Sequence, residues 1–395
     1  MENPRIILKT GKEKSLLRFH PWIFSGAIRT INPEPKEGQL VDVFSSNGEF
    51  LAAGHYASGS IAVRILTFKQ ENIDSKFWDK KIQNAIDLRK RIGLIGNKNT
   101  NIFRLIHGEG DGLPGLIVDI YGDTAVLQCH SVGMYNSRKE IASAITRNFQ
   151  NSIKAVFDKS SGTVPLREEL LPNDEYLIDE RNSQTTLIEN GNEYLISWET
   201  GQKTGFFIDQ RENRYLLEKY AKGKTVLNTF GYTGGFSVAA LRGGAKRVVT
   251  VDSSASAIEL ATQNVKVNFG ESAPHEGVVA DAFEYLKRCN ETFDVIVLDP
   301  PAFAKHNKAL RNALQAYKRL NLSAIRLIKP GGLLFTFSCS QVVSKTVFRN
   351  AVFSACAISG RNASIIHQLT QPADHPFNIY HPEGEYLKGL ILRIV

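Results

Sequence analysis

Short apolar runs fill residues 1–70, and none has the spacing of a helix of ordinary length. Arg5 to Thr10, Gln39 to Ser45, Glu49 to Tyr56 and Ser60 to Phe68 read as strands, punctuated by Gly11, Asn32-Pro33, Ser46-Asn47-Gly48 and Ser58-Gly59. The pattern then mixes periods. Phe77 to Leu94 and Lys139 to Phe149 carry helical spacing, while Phe103 to Ile106, Leu116 to Ile120, Ala125 to His130 and Lys154 to Asp158 predict strands. Asn190-Gly191 joins Thr185–Glu189 to Glu193–Trp198 as a hairpin. A helix from Gln210 to Tyr220 follows, with Asp209 placed either to cap it or to line a ligand pocket. Beyond it, strands ending at Asn228, Asp252, just before Asp281, at Leu298 and at Phe337 alternate with helical stretches, and Asn362 to Gln368 with Leu387 to Val395 predict a closing antiparallel hairpin. The chain thus divides into a small β domain (1–70), a central α/β domain (71–183) and a larger α/β domain (184–395) built on a mostly parallel sheet.

The last domain is organised around Thr225 to Phe236. A strand runs into Phe230-Gly231-Tyr232-Thr233-Gly234-Gly235, whose glycines allow a tight turn and close backbone approach to a ligand, and a helix from Phe236 to Leu241 ends at Arg242-Gly243-Gly244. The next strand delivers Asp252, 21 residues after Gly231, where a nucleotide-binding βαβ unit places its ribose-binding acid. The glycine spacing is neither the G-x-G-x-x-G of a dinucleotide site nor a triphosphate loop. Asp281 and Asp299 close two further strands, which crowds acids at the sheet edge where open α/β sheets bind ligands. This set resembles the class I S-adenosylmethionine-dependent methyltransferases.

Composition narrows the class. A hydrophobic share of 42% with 22% charged residues describes an ordered soluble chain, no stretch approaches the roughly 20 apolar residues of a membrane span, and the cytoplasm is the expected compartment. Cys129, Cys289, Cys339 and Cys356 are scattered, so neither a disulfide framework nor a metal site is expected. Glu109, Asp111 and Asp119 lack the spacing of a calcium loop and read as turn chemistry. The net charge of +8 is uneven: between Pro300 and Ala373 stand ten Lys/Arg and no Asp/Glu. Such a stretch would attract phosphates. Lys305, Lys308, Arg311, Lys318 and Arg319 are its candidate contacts, with a solvated helix face as the alternative. In the β domain, His20 to Gly26 is an aromatic cluster between Arg18 and Arg29; Trp22 and Phe24 are either core or, with Arg18, an RNA-binding surface.

Thr204 to Asn213, the Phe230–Phe236 turn, Asp299-Pro300-Pro301, Thr336 to Ser340, Glu383 to Gly389 and the His20–Gly26 segment together resemble the large-subunit rRNA cytosine-C5 methyltransferases of the RlmI type, along the whole chain. The resemblance implies an N-terminal PUA domain, a central α/β domain and a class I methyltransferase domain. It implies S-adenosylmethionine as cofactor and 23S rRNA, naked or in a large-subunit assembly intermediate, as partner, with a homodimer allowed and no membrane.

Cytosine C5 is a poor nucleophile, so a thiolate adding at C6 must first create an enamine. Cys339, flanked by Ser338 and Ser340 at the end of a strand, is the candidate nucleophile, whereas the other three cysteines read as buried small apolar side chains. Asp299 would bind the N3 and N4 edge of cytosine, held rigid by Pro300 and Pro301. Ala302 stands where a different subfamily carries a second cysteine after its paired prolines, and no base for the C5 proton is evident. For the cofactor, Phe207 is a wall and Gln210 a donor at the methionine end; Phe230, Gly231, Tyr232, Thr233 and Gly234 surround the amino-acid part; Asp252 takes the ribose, Ser253 the adenosine side, and Asp281 and Ala282 the adenine. Asn228 replaces the acid common at its position. His375 and His381 border the last loop, as structural residues or as groups that orient RNA or relay a proton. Two other classes stay open: an RNA base N-methyltransferase that does not need Cys339, and an RNA-binding or ribosome-assembly factor without turnover.

Overall fold

The computed structural model describes residues 2–165, 171–179 and 186–395. The start of the predicted hairpin at Thr185 and the 183/184 boundary lie outside the described residues. The chain forms two compact units, each assembled from separated segments: Met1–Leu187 with Ile196–Phe206 and Ala373–Gly384, and Ile188–Leu195 with Phe207–Pro372 and Glu385–Val395.

In the first unit, strands Arg5–Leu8, Trp22–Phe24, Ile28–Asn32, Leu40–Phe44, Phe50–Tyr56 and Ile61–Thr67 form one six-stranded sheet. Its inner face buries Ile6, Leu8, Ile23, Val41, Val43, Ala52, Val63 and Ile65, the alternate positions that the apolar pattern picks out. Ile23, between half-buried Trp22 and exposed Phe24, supplies the core contact of the aromatic cluster. A second sheet of five strands, Ile102–His107, Leu116–Tyr121, Thr124–Cys129, Ala155–Asp158 and Glu175–Asp179, packs in one core with helix Ser75–Arg91. Asp74 starts that helix by accepting from the amides of Lys76 and Phe77, and Phe77, Trp78, Ile82 and Ile86 form its buried stripe.

Glu109 and Asp111 lie in a turn as expected, Asp111 accepting from the His107 amide at 2.6 Å, and Asp111 and Asp119 are in addition engaged in buried pairing. Arg89 pairs with Asp111 and donates to the Asp374 carbonyl, while Arg104 grips Asp119 with Nε and Nη2 at 2.7 and 2.8 Å. Thr204 also donates to Asp119, at 2.6 Å. These bonds place 196–206 and 373–384 in the first unit, although a contiguous division puts both segments in 184–395. His375 is buried beside Asp374, its Nδ1 3.1 Å from the carboxylate, which is the structural role weighed for it.

The second unit carries a seven-stranded sheet: β1 (Thr225–Thr229), β2 (Arg247–Asp252), β3 (His275–Val279), β4 (Phe293–Leu298), β5 (Ile328–Ser338), β6 (Ala363–Thr370) and β7 (Lys388–Ile394), in the order 3-2-1-4-5-7-6. The first five strands are parallel, and β7 enters antiparallel between β5 and β6. Helices α1 (Arg211–Tyr220), α2 (Gly235–Arg242), α3 (Ala255–Phe269), α4 (Ala282–Arg288), α5 (Leu310–Leu327) and α6 (Lys345–Ser359) connect the strands. The β1 and β4 strands are buried along nearly their whole length, Asn228 and Thr229 included, because both their faces are covered. At the hairpin Leu187–Glu189/Asn192–Tyr194, Asn190 and Gly191 both take positive φ (50° and 77°), as a two-residue turn requires.

At the edge remote from the glycine turn, Asp294 fixes the register of β1 against β4. Its Oδ2 accepts from the Thr225 amide (2.8 Å), the Thr225 hydroxyl (2.7 Å) and Lys329 Nζ (3.0 Å). Partial burial pushes its pKa up, but these donors outweigh burial and hold the carboxyl down at about 2. A depressed carboxylate contributes stability that is present above the ordinary range near pH 4 and is lost as pH falls toward about 2. Asp294→Asn should therefore lower Tm at neutral pH by about 2–4 °C, the effect of losing roughly 1 kcal/mol. The gap to wild type should close on acidification in scanning calorimetry; a gap that does not change with pH would refute this account.

Candidate active site

The turn after β1 is a strained backbone. Phe230 (φ 55°), Tyr232 (φ 43°) and Gly234 (φ 79°) all lie in the left-handed region, and two of them carry side chains there. Such conformations each cost about 1–3 kcal/mol and collect at ligand clamps. Gly231 is needed for a different reason: a Cβ would stand 2.4 Å from Thr250 Cγ2 on β2. Its amide donates to the Val251 carbonyl at 3.0 Å, and the Gly234 amide closes the turn on the Gly231 carbonyl at 2.8 Å.

Asp252, at the end of β2, is fixed from two sides. Oδ2 accepts from the Tyr232 amide and Oδ1 from the Ser254 amide, both at 2.9 Å. The carboxylate is half-exposed beside the turn, with lone pairs remaining on each oxygen. This is the acceptor set a ribose diol needs, since its two hydroxyls donate, and the residues present fit a nucleoside cofactor. Thr233 and Gly234 are buried in the turn; Ser253 beside Asp252 is exposed. Asn228 points away from this row, as Nδ2 donates to Ser237 Oγ (2.9 Å) in a buried chain continuing to Thr250 and His275. Asp281 caps α4 through the Glu284 amide at 3.0 Å, and Ala282 behind it is buried. One carboxylate oxygen of Asp281 thus holds a helix N-terminus, while the side chain stays exposed.

The segment before α1 closes another side. Asp209 does not cap α1. The helix begins at Gln210 with no side-chain cap, and Asp209 Oδ2 accepts from the Tyr386 hydroxyl at 2.7 Å. Phe207 stands edge-on to Tyr232 with ring centroids 5.3 Å apart. It is held there by buried Arg214, which donates Nη1 to the Phe207 carbonyl (2.9 Å) and grips Glu189 with two 2.6 Å bonds. Gln210 accepts from Asn213 Nδ2 (2.6 Å), which turns its own Nε2 onto Asp299 Oδ1 at 2.9 Å. Phe207, Gln210, Tyr232, Asp252 and Asp299 are therefore linked through these contacts and the sheet edge.

Asp299 and Cys339 follow adjacent parallel strands, β4 and β5, so both emerge at one edge. Cys339 is half-buried, its Sγ 3.9 Å from the Pro300 carbonyl. The loop behind it is braced: Ser340 Oγ lies 3.0 Å from the Tyr317 hydroxyl and accepts from the Ala304 amide, and buried Lys388 Nζ donates to the Ser340 and Val343 carbonyls at 2.6 and 2.7 Å. Sequence reasoning missed Asn213, Tyr386 and Lys388 as parts of this site, together with the aromatic series Phe230–Phe283–Phe303–Tyr317. The density of the Gly201–Arg214 and Glu383–Gly389 stretches was the available signal.

Of the basic residues, Lys305, Lys308, Arg311 and Arg319 are exposed on or just before α5, and Lys318 is half-buried. In the first unit Arg18 is exposed, but Trp22 is occupied: its Nε1 donates to Glu109 (2.9 Å) and its ring lies 4.2 Å from that of His381. Phe19 and Phe24, each 50% exposed, are the aromatic side chains open to solvent there. Among the described residues no His, Cys, Asp and Glu cluster could hold a metal.

A parallel sheet with a reversed strand inserted, a glycine turn after β1 and an acid after β2 define a class I methyltransferase. A family model described as S-adenosylmethionine-dependent methyltransferase matches residues 103–378, and one described as PUA-like domain matches 6–68. The chain is similar to ribosomal RNA large subunit methyltransferase I of Klebsiella pneumoniae subsp. pneumoniae, at 39% identity with 99% of this chain and 98% of that protein covered. It is 40% identical to the Aeromonas hydrophila protein of the same name, with 98% of each covered. Among solved structures, a Streptococcus mutans protein assigned as a SAM-dependent methyltransferase aligns at TM-score 0.83 with 25% identity, and another assigned as a methyltransferase complexed with SAH at TM-score 0.84 with 26% identity; both alignments cover all of each chain. The chain belongs to the ribosomal RNA large subunit methyltransferase I family, enzymes that use S-adenosylmethionine.

Because Asp252 braces the turn and keeps lone pairs open beside it, Asp252→Ala should weaken S-adenosylmethionine binding by about tenfold or more, the loss of one or two charge-assisted hydrogen bonds. Titration calorimetry on the folded variant measures this. Unchanged affinity would remove Asp252 from the cofactor site.

Proposed function

We propose that this enzyme forms 5-methylcytosine in 23S rRNA through a covalent adduct between Cys339 and cytosine C6. The observation that carries the proposal is the pairing of a half-buried thiol with an oriented carboxylate at one sheet edge: Cys339 at the Pro300 carbonyl, and Asp299 turned by Gln210. A methyltransferase acting on a base nitrogen, which is already nucleophilic, has no use for that thiol.

Bound S-adenosylmethionine supplies an electrophilic methyl group. Phe207, Gln210, the Phe230–Gly234 turn, Asp252 and Ser253 are proposed to hold it, with Asp281 and Ala282 beside the adenine. Asp299 accepts from the N4 amino group and from a proton carried on N3, and that proton stabilises the ring as electrons move onto it when C6 is attacked. The Cys339 thiolate bonds to C6 and makes C5 an enamine carbon that can accept the methyl group. Loss of the C5 proton to a base then breaks the S–C6 bond and returns the thiolate. The paired prolines limit the backbone freedom of the Asp299 loop, which favours a fixed distance between carboxylate and thiol. Lys305, Lys308, Arg311, Lys318 and Arg319 are proposed phosphate contacts, and in the first unit Arg18 with Phe19 and Phe24, with Trp22 as support behind them, is a proposed RNA surface.

Incubating wild type and Cys339→Ala with labelled S-adenosylmethionine and unmodified rRNA, followed by nucleoside mass spectrometry, tests the reading. The expected result is 5-methylcytosine from the wild type alone, with Asp299→Asn slower in kcat by about 10²–10⁴-fold. A methylated purine, or undiminished 5-methylcytosine from Cys339→Ala, would falsify it.

A further inference from the structure

Lys388 opens β7 directly opposite Ser338 in the antiparallel pairing with β5. Opposed residues project to the same face of a sheet, so its side chain shares a face with Ser338, and its Nζ reaches the Ser340 carbonyl, one residue after Cys339. It is 95% buried by its 5% residual exposure. Two of its three N–H donors are spent on the carbonyls of Ser340 and Val343, which fastens the turn immediately after Cys339. One donor remains.

A buried ammonium is costly unless a counter-charge accompanies it. Among the described residues the carboxylate that favours the charged lysine is Glu385, from outside ion-pairing range. Glu385, on the chain leading into β7, is paired with Lys345 of α6. Arg349, also on α6, borders the same groove and is itself cationic. The β6 strand presents Gln368, Leu369 and Thr370 there, none of them charged. Among the described residues Lys388 has no carboxylate in ion-pairing range; the group at hand that can become an anion is Cys339. Burial pushes the lysine down to about 8, and Cys339 and Glu385 oppose that fall. The ammonium therefore persists at neutral pH, and the attraction is mutual.

We propose that Lys388 is the positioning residue of the nucleophile, holding the 339–343 turn by its two carbonyls and stabilising Cys339 as a thiolate by its charge. The thiol proton leaves to solvent when the pair forms, and the thiolate is then ready to bond to C6. The proposal rests on the role given to Cys339 above, and the test separates the two.

Alkylation of the full-length protein by iodoacetamide across a pH series, read at the Cys339 peptide by mass spectrometry, reports thiolate without RNA or cofactor. Cys289 and Cys356 serve as internal references. The wild-type Cys339 profile should reach half its maximum at least one unit below the free-thiol value near 8.5. Lys388→Met, similar in length and uncharged, should shift that midpoint upward by about one unit or more and slow alkylation at pH 7 by about tenfold. A wild-type midpoint at or above the free-thiol value overturns the proposal whether or not the variant folds, as does an unshifted midpoint in a folded Lys388→Met. Undiminished 5-methylcytosine from Cys339→Ala would instead sink the proposed reaction while the lysine–thiolate pair stood.

Discussion

Parallel pairing without slip is the constraint on which the site depends. Thr229 of β1 lies opposite Val251 of β2 and Leu298 of β4, and Leu298 lies opposite Thr336 of β5. One rung thus crosses the four central strands. The next residue on each of the first three is Phe230, Asp252 and Asp299, so the strained turn and both site carboxylates leave the sheet at one level. Strands are spaced about 4.8 Å apart, which sets Asp252 and Asp299 roughly 10 Å from each other across the β1 turn. That span suits a nucleoside lying over β1 with its reactive end toward β4. A slip of one residue in β4 would turn Asp299 to the opposite face, which is why the anchor of Asp294 on Thr225 matters to chemistry at the far edge.

Holding a strained turn at this level requires that its surroundings over-determine it. The Phe230 and Tyr232 conformations are unfavourable by a few kcal/mol together, and the balancing contacts are visible: Tyr232 donates to Asp252, Gly231 donates to Val251, and Phe207 packs edge-on to the Tyr232 ring. Phe207 is in turn fixed by the Arg214–Glu189 pair, which is fully buried and bidentate. Such a pair adds little net stability over an apolar replacement but admits few geometries. The hairpin that supplies Glu189 therefore bears on the cofactor loop through two side chains.

Much of this was legible in the sequence because it rests on local rules. The glycine turn, the strand-ending acids, the Asn190-Gly191 hairpin and the reversed last strand each have a short-range signature, and the structure contains them at or near the expected positions. What escaped were partnerships between distant residues. Nothing near Asp209 announces Tyr386, 177 positions away, and a capping role was the local inference. Asp281 has a second role that was not read from the sequence: an acid closing a strand also opens a helix, and one of its oxygens caps it. Trp22 fell between its two expected roles, since a half-buried indole with a hydrogen-bonded nitrogen is neither core nor free surface. Lys388 was visible only as a letter in a resembling stretch, because burial of a lysine is decided by the strands on either side of it.

The same limitation explains the discontinuous first unit. One buried arginine on the helix Ser75–Arg91 and one on the strand Ile102–His107 need partners, which come from both near and far: Asp111 and Asp119 locally, the Asp374 carbonyl and carboxylate from late in the chain. Removing any one partner would leave a buried charge or amide unpaired, a loss of several kcal/mol, so 373–384 is bound to this unit by polar satisfaction more than by apolar area. Gly110 sharpens the fit, since a Cβ there would stand 1.8 Å from the Pro376 carbonyl oxygen. Two strands of the methyltransferase sheet, β6 and β7, are consequently joined by a segment whose own hydrogen bonds lie in the other unit. Within its own unit that segment cannot shift without breaking those bonds, whereas Lys388 is placed by its pairing with Ser338 in the second unit's sheet.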